Sequence, residues 1–380
     1  MSFELVINKQ NENGRLFSLN LGRTSSVVTC WILVFLCLER IYMPGKTSGS
    51  FNGLIYGLFL VLAFGLLMLN MSKVCYGLRD LVFVFVAMYF LFWHYDSRSL
   101  QYAIIVLTVL FIGKLNIDDM LVLHRALVGL GLIFSIVFCI GEERWSGFLN
   151  NSAPVFSLIM VTSMAYLLFH PNSKVIDYCL ALIALFLIFM TETRITLLVG
   201  LVLLVTRFFN GPSKKIINFF IRHKLLLFIV LTIVVWFVFL NYDLLLSIIS
   251  RSNGDASSET RIGLMQGVCA QWLQSASSLI FGNKGGFAMH YVALLDPAIS
   301  GNMPVHQDVL MLLCDYGCLG FLLFVFAFSS FAMKWPWYAF LILAMATFHN
   351  VFTAGVSFLL LILSFNSLAN ILAMGRATNV

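Results

Sequence analysis

Apolar runs of about 17 to 25 residues recur along almost the whole chain, and each is long enough to cross roughly 30 Å of hydrocarbon as a helix. Leu225 to Leu240, for example, contains no charged residue and is apolar on every side. A membrane β-barrel needs segments of about ten residues with alternating polarity instead, so these runs predict helices. Only 11% of the 380 residues are charged, against roughly a quarter in a soluble domain. A single water-soluble core is therefore excluded, and the expected fold class is all-α: a polytopic membrane helix bundle. The first 25 residues are polar and carry Lys9, Arg15 and Arg23. No small-residue cleavage site follows closely, so the first span is expected to be retained rather than removed as a signal peptide.

The apolar runs give about twelve spans, near 26–43, 52–69, 80–94, 100–113, 125–141, 154–169, 175–191, 195–207, 224–241, 307–332, 337–350 and 355–374. Placing the N-terminus in the cytoplasm puts Lys9, Arg15, Arg23, Lys73, Arg79, Lys114, Arg125, Lys174, Arg207, Lys214, Lys215, Arg222, Lys224, Lys334 and Arg376 on that side. The outer side holds Lys46, Arg98, Arg144, Arg194, Arg251, Arg261 and Lys284, and Arg40 falls inside the first span. The positive-inside rule then predicts that both termini are cytoplasmic. The basic loop from Arg207 to Lys224, broken by Gly211-Pro212, is the strongest single signal.

This topology divides the chain into an N-terminal bundle (1–241), an outward loop (242–305) and C-terminal helices (306–380), all within one integrated membrane domain. The loop has structure of its own. Ser252-Asn253-Gly254-Asp255 is a turn cluster, and Glu259 to Ala276 is predicted as an amphipathic helix with Ile262, Met265, Cys269, Trp272, Leu273 and Ala276 on one stripe. Its apolar stripe would lie against the bundle or the lipid surface. Gly282-Asn283-Lys284-Gly285-Gly286 reads as a flexible turn with exposed backbone N–H groups.

Several outward residues could carry chemistry. Arg194 ends the span in Thr191-Glu192-Thr193-Arg194; it could bind a phosphate through two hydrogen bonds, or snorkel to the interface and pair with Glu192. Arg261 opens the loop helix and could form a second arm of a phosphate clamp, or solvate a helix face. His306, in Pro304-Val305-His306-Gln307-Asp308, stands where the loop re-enters the membrane. An imidazole there can remove a proton from a sugar hydroxyl near neutral pH, or serve as an interfacial hydrogen-bonding residue. Asp308 and Asp315 strengthen the functional reading, because acids near a span usually face a cavity. Trp145, beside Arg144, is most simply an interfacial anchor. His94, His124, His170 and His223 read as structural, and His349 is a weaker candidate.

Eight cysteines lie mostly inside spans and form no CxxC or Cys/His spacing, so no metal and no cofactor is expected. The basic residues sort by loop instead of clustering on a soluble face, which argues against a nucleic-acid partner. No nucleotide-binding or hydrolase motif is present. A substrate of an enzyme of this kind must therefore carry its own activation.

Glu192-Thr193-Arg194, Arg261 followed by Trp272 and Ile280-Phe281-Gly282, and His306-Gln307-Asp308 running into Tyr316-Gly317-Cys318-Leu319-Gly320 together resemble the O-antigen polymerase and O-antigen ligase superfamily of bacterial envelope glycosyltransferases. Arg144-Trp145-Ser146-Gly147-Phe148-Leu149-Asn150 is similar to that family's earlier loop. The resemblance implies a multi-pass protein of the bacterial inner membrane. It implies metal-independent glycosyl transfer from an undecaprenyl-diphosphate-linked oligosaccharide at the periplasmic face. Arg194 and Arg261 would hold the diphosphate, and His306 would activate the acceptor hydroxyl with Asp308 or Glu192 orienting or replacing it. Arg144 and Lys284 would contact diphosphate or sugar, and Gly282, Lys284 and Gly286 would shape the acceptor side. A polymerase is favoured, with a second lipid-linked unit as acceptor and a chain-length regulator as candidate partner. The alternatives are a ligase that transfers polymer to lipid A-core and, from another class, a flippase or transporter.

Overall fold

A computed structural model describes residues 21–38, 61, 78–93, 103, 115–149, 153–208, 256–288, 291, 307–334, 345, 357, 359–361, 363, 364 and 367. Among the described residues the regular structure is helical, with no β-strand. The helices are α1 (Leu21–Cys37), α2 (Leu78–Phe92), α3 (Ile117–Phe138), α4 (Ala153–Phe169), α5 (Val175–Met190), α6 (Arg194–Phe208), α7 (Ala256–Trp272), α8 (Ala276–Phe281) and α9 (Asp308–Lys334). Two segments, Ile117–Phe138 and Asp308–Val325, are long and apolar enough to cross a membrane; Ser26–Cys37, Ala153–Phe169 and Val175–Met190 are shorter apolar helices. The runs expected near 52–69, 100–113, 224–241 and 337–350 lie wholly or almost wholly outside the described residues, as does most of 355–374.

The chain forms two compact units. The first comprises 1–87, 101–200 and 354–380, and the second 88–100 and 201–353.

In the first unit α4 packs on both α3 and α5, which also touch each other, while α1 packs on α3. Helix α4 is buried on nearly every side, polar residues included. Burial of a hydroxyl requires a partner. Thr162 Oγ1 accordingly donates to the Leu158 carbonyl at 2.8 Å, and Ser157 shares a 2.9 Å hydrogen bond with Thr196 of α6. Helix α3 begins eight residues before its expected apolar start. There the Asn116 side chain accepts the Asp118 N–H at 3.0 Å, and Asn116 N–H donates to Ser26 Oγ of α1 at 2.9 Å. Arg125 and Asp177 clamp α3 to α5, with Nε to Oδ1 at 2.6 Å and Nη2 to Oδ2 at 2.9 Å.

His124 fits the structural role expected of it. It is fully buried and stacked on Tyr166 at 4.4 Å, with its ring nitrogens 3.0 Å from Ser163 Oγ and 2.9 Å from Ser364 Oγ. Tyr166 in turn meets Ser367 Oγ at 2.9 Å, so two serines from near the chain's end dock on α3 and α4.

In the second unit α7 and α8 both pack on α9, which is broken at Gly317 (φ 66°, ψ −175°) into two helical segments. The core is Leu264, Val268, Cys269, Ala288, Leu310, Met311 and Cys314, with Met265, Trp272, Phe287 and Tyr291 packed against it. The loop helix therefore differs from its expected extent. It ends at Trp272, and Leu273 and Ala276 are exposed. The physical reason is a new helix start: Ser275 Oγ accepts the Ser278 N–H, and Ser278 Oγ accepts the Ser275 N–H, each at 3.0 Å. Reciprocal capping of this kind begins α8 in a fresh direction. The buried stripe of α7 then includes Leu264 and Val268 beside the expected Cys269.

Candidate functional site

At one end of the first unit, the segment after α3 folds back across the C-terminus of α5. Trp145 N–H donates to the Met190 carbonyl at 3.1 Å, and Arg144 Nε donates to the Thr191 carbonyl, also at 3.1 Å. These bonds satisfy carbonyls that a helix end leaves without intrahelical partners, and a guanidinium suits that end of the helix dipole. Phe148 is buried edge-to-face on Phe156 of α4 at 5.1 Å, and Trp145 meets Phe186 of α5 edge-on at 6.1 Å. Aromatic packing thus fixes the loop from below.

The turn between α5 and α6 is equally constrained. Thr191 Oγ1 donates to the Ile188 carbonyl at 2.6 Å and makes a short hydrogen bond with Thr193 Oγ1. Thr191, Thr193 and Thr196 are buried, whereas Glu192 and Arg194 are exposed. Glu192 has φ 55°, an uncommon left-handed conformation for a residue with a Cβ. Such outliers persist where surrounding contacts over-determine them and often lie at functional sites. The buried threonines hold the backbone so that Glu192 and Arg194 project from it. Arg144, bonded to Thr191, lies on the same rim together with the exposed Glu142 and Glu143.

The second unit carries the remaining expected residues. The 282–288 turn is pinned: six of its seven N–H groups, all but that of Lys284, donate hydrogen bonds within the protein. Gly282 N–H donates to the Ser278 carbonyl, Asn283 N–H to the Cys314 carbonyl at 2.8 Å, and Gly285 N–H to the Trp93 carbonyl at 3.0 Å. The Asp315 carboxylate accepts Gly286 N–H and Ala288 N–H, each at 2.8 Å. This corrects two expectations: the N–H groups of Gly282, Asn283, Gly285 and Gly286 are not exposed for a ligand, and Asp315 braces that turn. Lys284, with φ 77°, is exposed at its tip. Asp308 is buried in the first turn of α9, where a carboxylate is favoured by the helix dipole.

Arg261 sits on α7, and its backbone alone is described; His306 lies outside the described residues. Arg144, Glu192 and Arg194 thus share one rim, while Arg261, Lys284 and Asp308 belong to the other unit. Reasoning from sequence missed Tyr89, whose Oη lies 3.0 Å from the Phe281 carbonyl and 3.1 Å from the Tyr316 carbonyl. It also missed the Ser275–Ser278 cap, although a serine three residues ahead of another was a usable signal. Among the described residues no cluster of three His, Cys, Asp or Glu side chains is arranged to hold a metal. Compared with known proteins, the chain matches no protein-family model and no curated protein sequence.

Proposed function

We propose that the chain is a bacterial inner-membrane glycosyltransferase that polymerises undecaprenyl-diphosphate-linked oligosaccharide repeat units at the periplasmic face. In this reading it has about twelve spans and both termini are cytoplasmic. Large apolar side chains exposed along α3 (Ile133, Ile136, Val137, Phe138), α5 (Leu182, Phe186, Phe189) and α6 (Leu198, Leu201, Val205) support membrane burial, since such surface is unfavourable in water.

The observation that carries the reading is the rim where Arg144 and the Glu192–Arg194 turn come together. Two guanidinium-bearing segments on a rigid, threonine-braced support suit a diphosphate, which Arg recognises through paired hydrogen bonds. In the proposed reaction an acceptor sugar hydroxyl attacks the anomeric carbon of the donor. The bond from that carbon to the diphosphate oxygen breaks, and the electron pair leaves with undecaprenyl diphosphate. Arg194 and Arg261 stabilise the charge that develops on the leaving group. His306 takes the hydroxyl proton, with Asp308 or Glu192 as its orienting carboxylate.

The test is the surface-polysaccharide profile of a deletion strain complemented with Arg194→Ala, Arg261→Ala or His306→Ala at normal protein level. Surface lipid carrying a single repeat unit is the expected result. Lipid-linked polymer of full length that is never attached would identify a ligase instead, and absence of any outward-facing lipid-linked unit would identify a flippase. Wild-type profiles for all three variants would remove the enzymatic reading.

A further inference from the structure

The α7–α8 elbow of the second unit has an apolar face that the proposed chemistry does not use. Leu273 is 58% exposed, Leu279 36%, Ile280 45% and Phe281 42%. Leu279, Ile280 and Phe281 are consecutive on α8, and Trp272 Nε1 donates to the Leu279 carbonyl at 3.3 Å, which ties the end of α7 to α8. Four large apolar side chains exposed on one short elbow suit an interaction site.

The level at which α8 crosses α9 indicates the partner. Gly282 and Gly317 meet backbone to backbone. Before that crossing nearly every side chain of α9 is buried, and beyond it Leu319 and Leu322 are exposed. From Gly317 to Lys334 a helix rises about 26 Å, close to the roughly 30 Å hydrocarbon thickness. With Lys334 at the cytoplasmic boundary, this length places the crossing and the elbow at the outer boundary, so the span begins near Gly317 and not near 307 as the apolar run suggests. Aromatic side chains with polar tips gather at this level, as in an interfacial belt: Tyr89 bridges the Phe281 and Tyr316 carbonyls, and the Trp93 ring lies 6.4 Å from Phe281.

The elbow can also enter the interface at little polar cost. Leu279 N–H donates to the Ser275 carbonyl and Gly282 N–H to the Ser278 carbonyl, each at 2.9 Å, and the Ser275–Ser278 cap occupies two further N–H groups. Few backbone groups would be stranded away from water. Lys284 follows directly, exposed on the pinned turn and without an ion pair to another described residue.

We propose that the elbow is a membrane-interface anchor: Leu273, Leu279, Ile280 and Phe281 enter the outer leaflet, and Lys284 meets anionic phospholipid headgroups. This inference rests on the membrane-spanning part of the proposed function and assigns Lys284 to phospholipid headgroups instead of the donor's diphosphate. Resistance of the full-length protein to alkaline carbonate extraction tests the spanning reading separately.

For the anchor, p-benzoylphenylalanine replaces Ile280 in the full-length protein, which is reconstituted in vesicles of phosphatidylglycerol and phosphatidylethanolamine and irradiated. Phospholipid adducts are expected at about ten times the yield found when the same reagent replaces the buried Val268. Lys284→Gln should reduce the preference for phosphatidylglycerol among those adducts about fivefold, the weight of one cation near an anionic surface. Hydroxyl-radical footprinting of the unsubstituted protein guards against misfolding: Leu279, Ile280 and Phe281 should be protected in vesicles despite their exposure in the protein. Adducts to protein alone, adducts to an added polyprenyl diphosphate alone, or rapid oxidation of all three side chains would overturn the anchor.

Discussion

Gly282 and Gly317 each occupy the space that a Cβ on the other would need. A Cβ on Gly282 would meet the Asp315 carbonyl oxygen at 2.4 Å and Gly317 N at 2.5 Å; one on Gly317 would meet the Ile280 carbonyl oxygen at 2.3 Å and Gly282 N at 2.5 Å. Both residues are in the left-handed region, with φ 77° and 66°. No side chain lies between the two segments to yield.

Gly317→Ala should therefore destabilise the second unit by about 2–4 kcal/mol, combining a left-handed alanine with steric overpacking. Thermal unfolding of the purified protein measures it. Gly263→Ala provides the control, since a Cβ there meets nothing within 4 Å. Equal melting temperatures for the two variants would contradict the close crossing.

Asp177 is fully buried and accepts from Arg125 and from the Lys174 N–H, the latter at 2.7 Å. Arg125→Ala should cost about 3 kcal/mol, because removing one partner leaves a buried carboxylate uncompensated. Arg125→Met combined with Asp177→Leu should recover most of that loss. A double variant less stable than Arg125→Ala would show that the pair does more than neutralise itself.

His170 is buried at the α4–α5 turn, and its Nδ1 accepts the Asn172 N–H at 3.1 Å. Burial holds its pKa below the ordinary value of 6.5 and outweighs the attraction of Asp118 and Asp177, which acts in the opposite direction. The folded state thus favours neutral imidazole. This contribution is complete above about pH 6.5 and is lost as pH falls toward the lowered folded value. Melting temperature should drop between pH 7 and pH 5, and His170→Gln should flatten that slope. An unchanged slope would place the responsible group elsewhere.

On the Arg144–Thr191 rim, Arg194→Ala should reduce polymer synthesis at least about a hundredfold, the scale for losing one prepositioned donor at a developing charge. Arg194→Lys should restore only part of it, because an ammonium lacks the paired donor geometry. Arg144→Ala should act more mildly, since it loosens the rim through the Thr191 carbonyl as well as removing a charge. The readout is the rate of polymer formation from purified lipid-linked donor. Full activity with Arg194→Lys would mean that charge alone is needed there.

The apolar runs near 154–169, 175–191 and 195–207 are helices with closely matching bounds, α4, α5 and α6. Helix length and termini are local properties: a continuous apolar run supplies the length, and charges or turn residues interrupt it. Arg194 was legible for the same reason, because charge at the end of an apolar run is conspicuous, whereas Arg144 entered only through the family resemblance. The break of α7 at Trp272 was less legible, since the apolar spacing continues through Leu273 and Ala276 while a two-serine cap overrides it.

What tertiary structure alone decided is the choice of partners. Nothing in the chain near Asp315 says that its carboxylate will hold the N–H groups of Gly286 and Ala288, nor that His124 will lie between Ser163 and Ser364. A buried polar group must be satisfied, but the sequence states only that need. Which group answers it depends on how segments separated by tens or hundreds of residues come together.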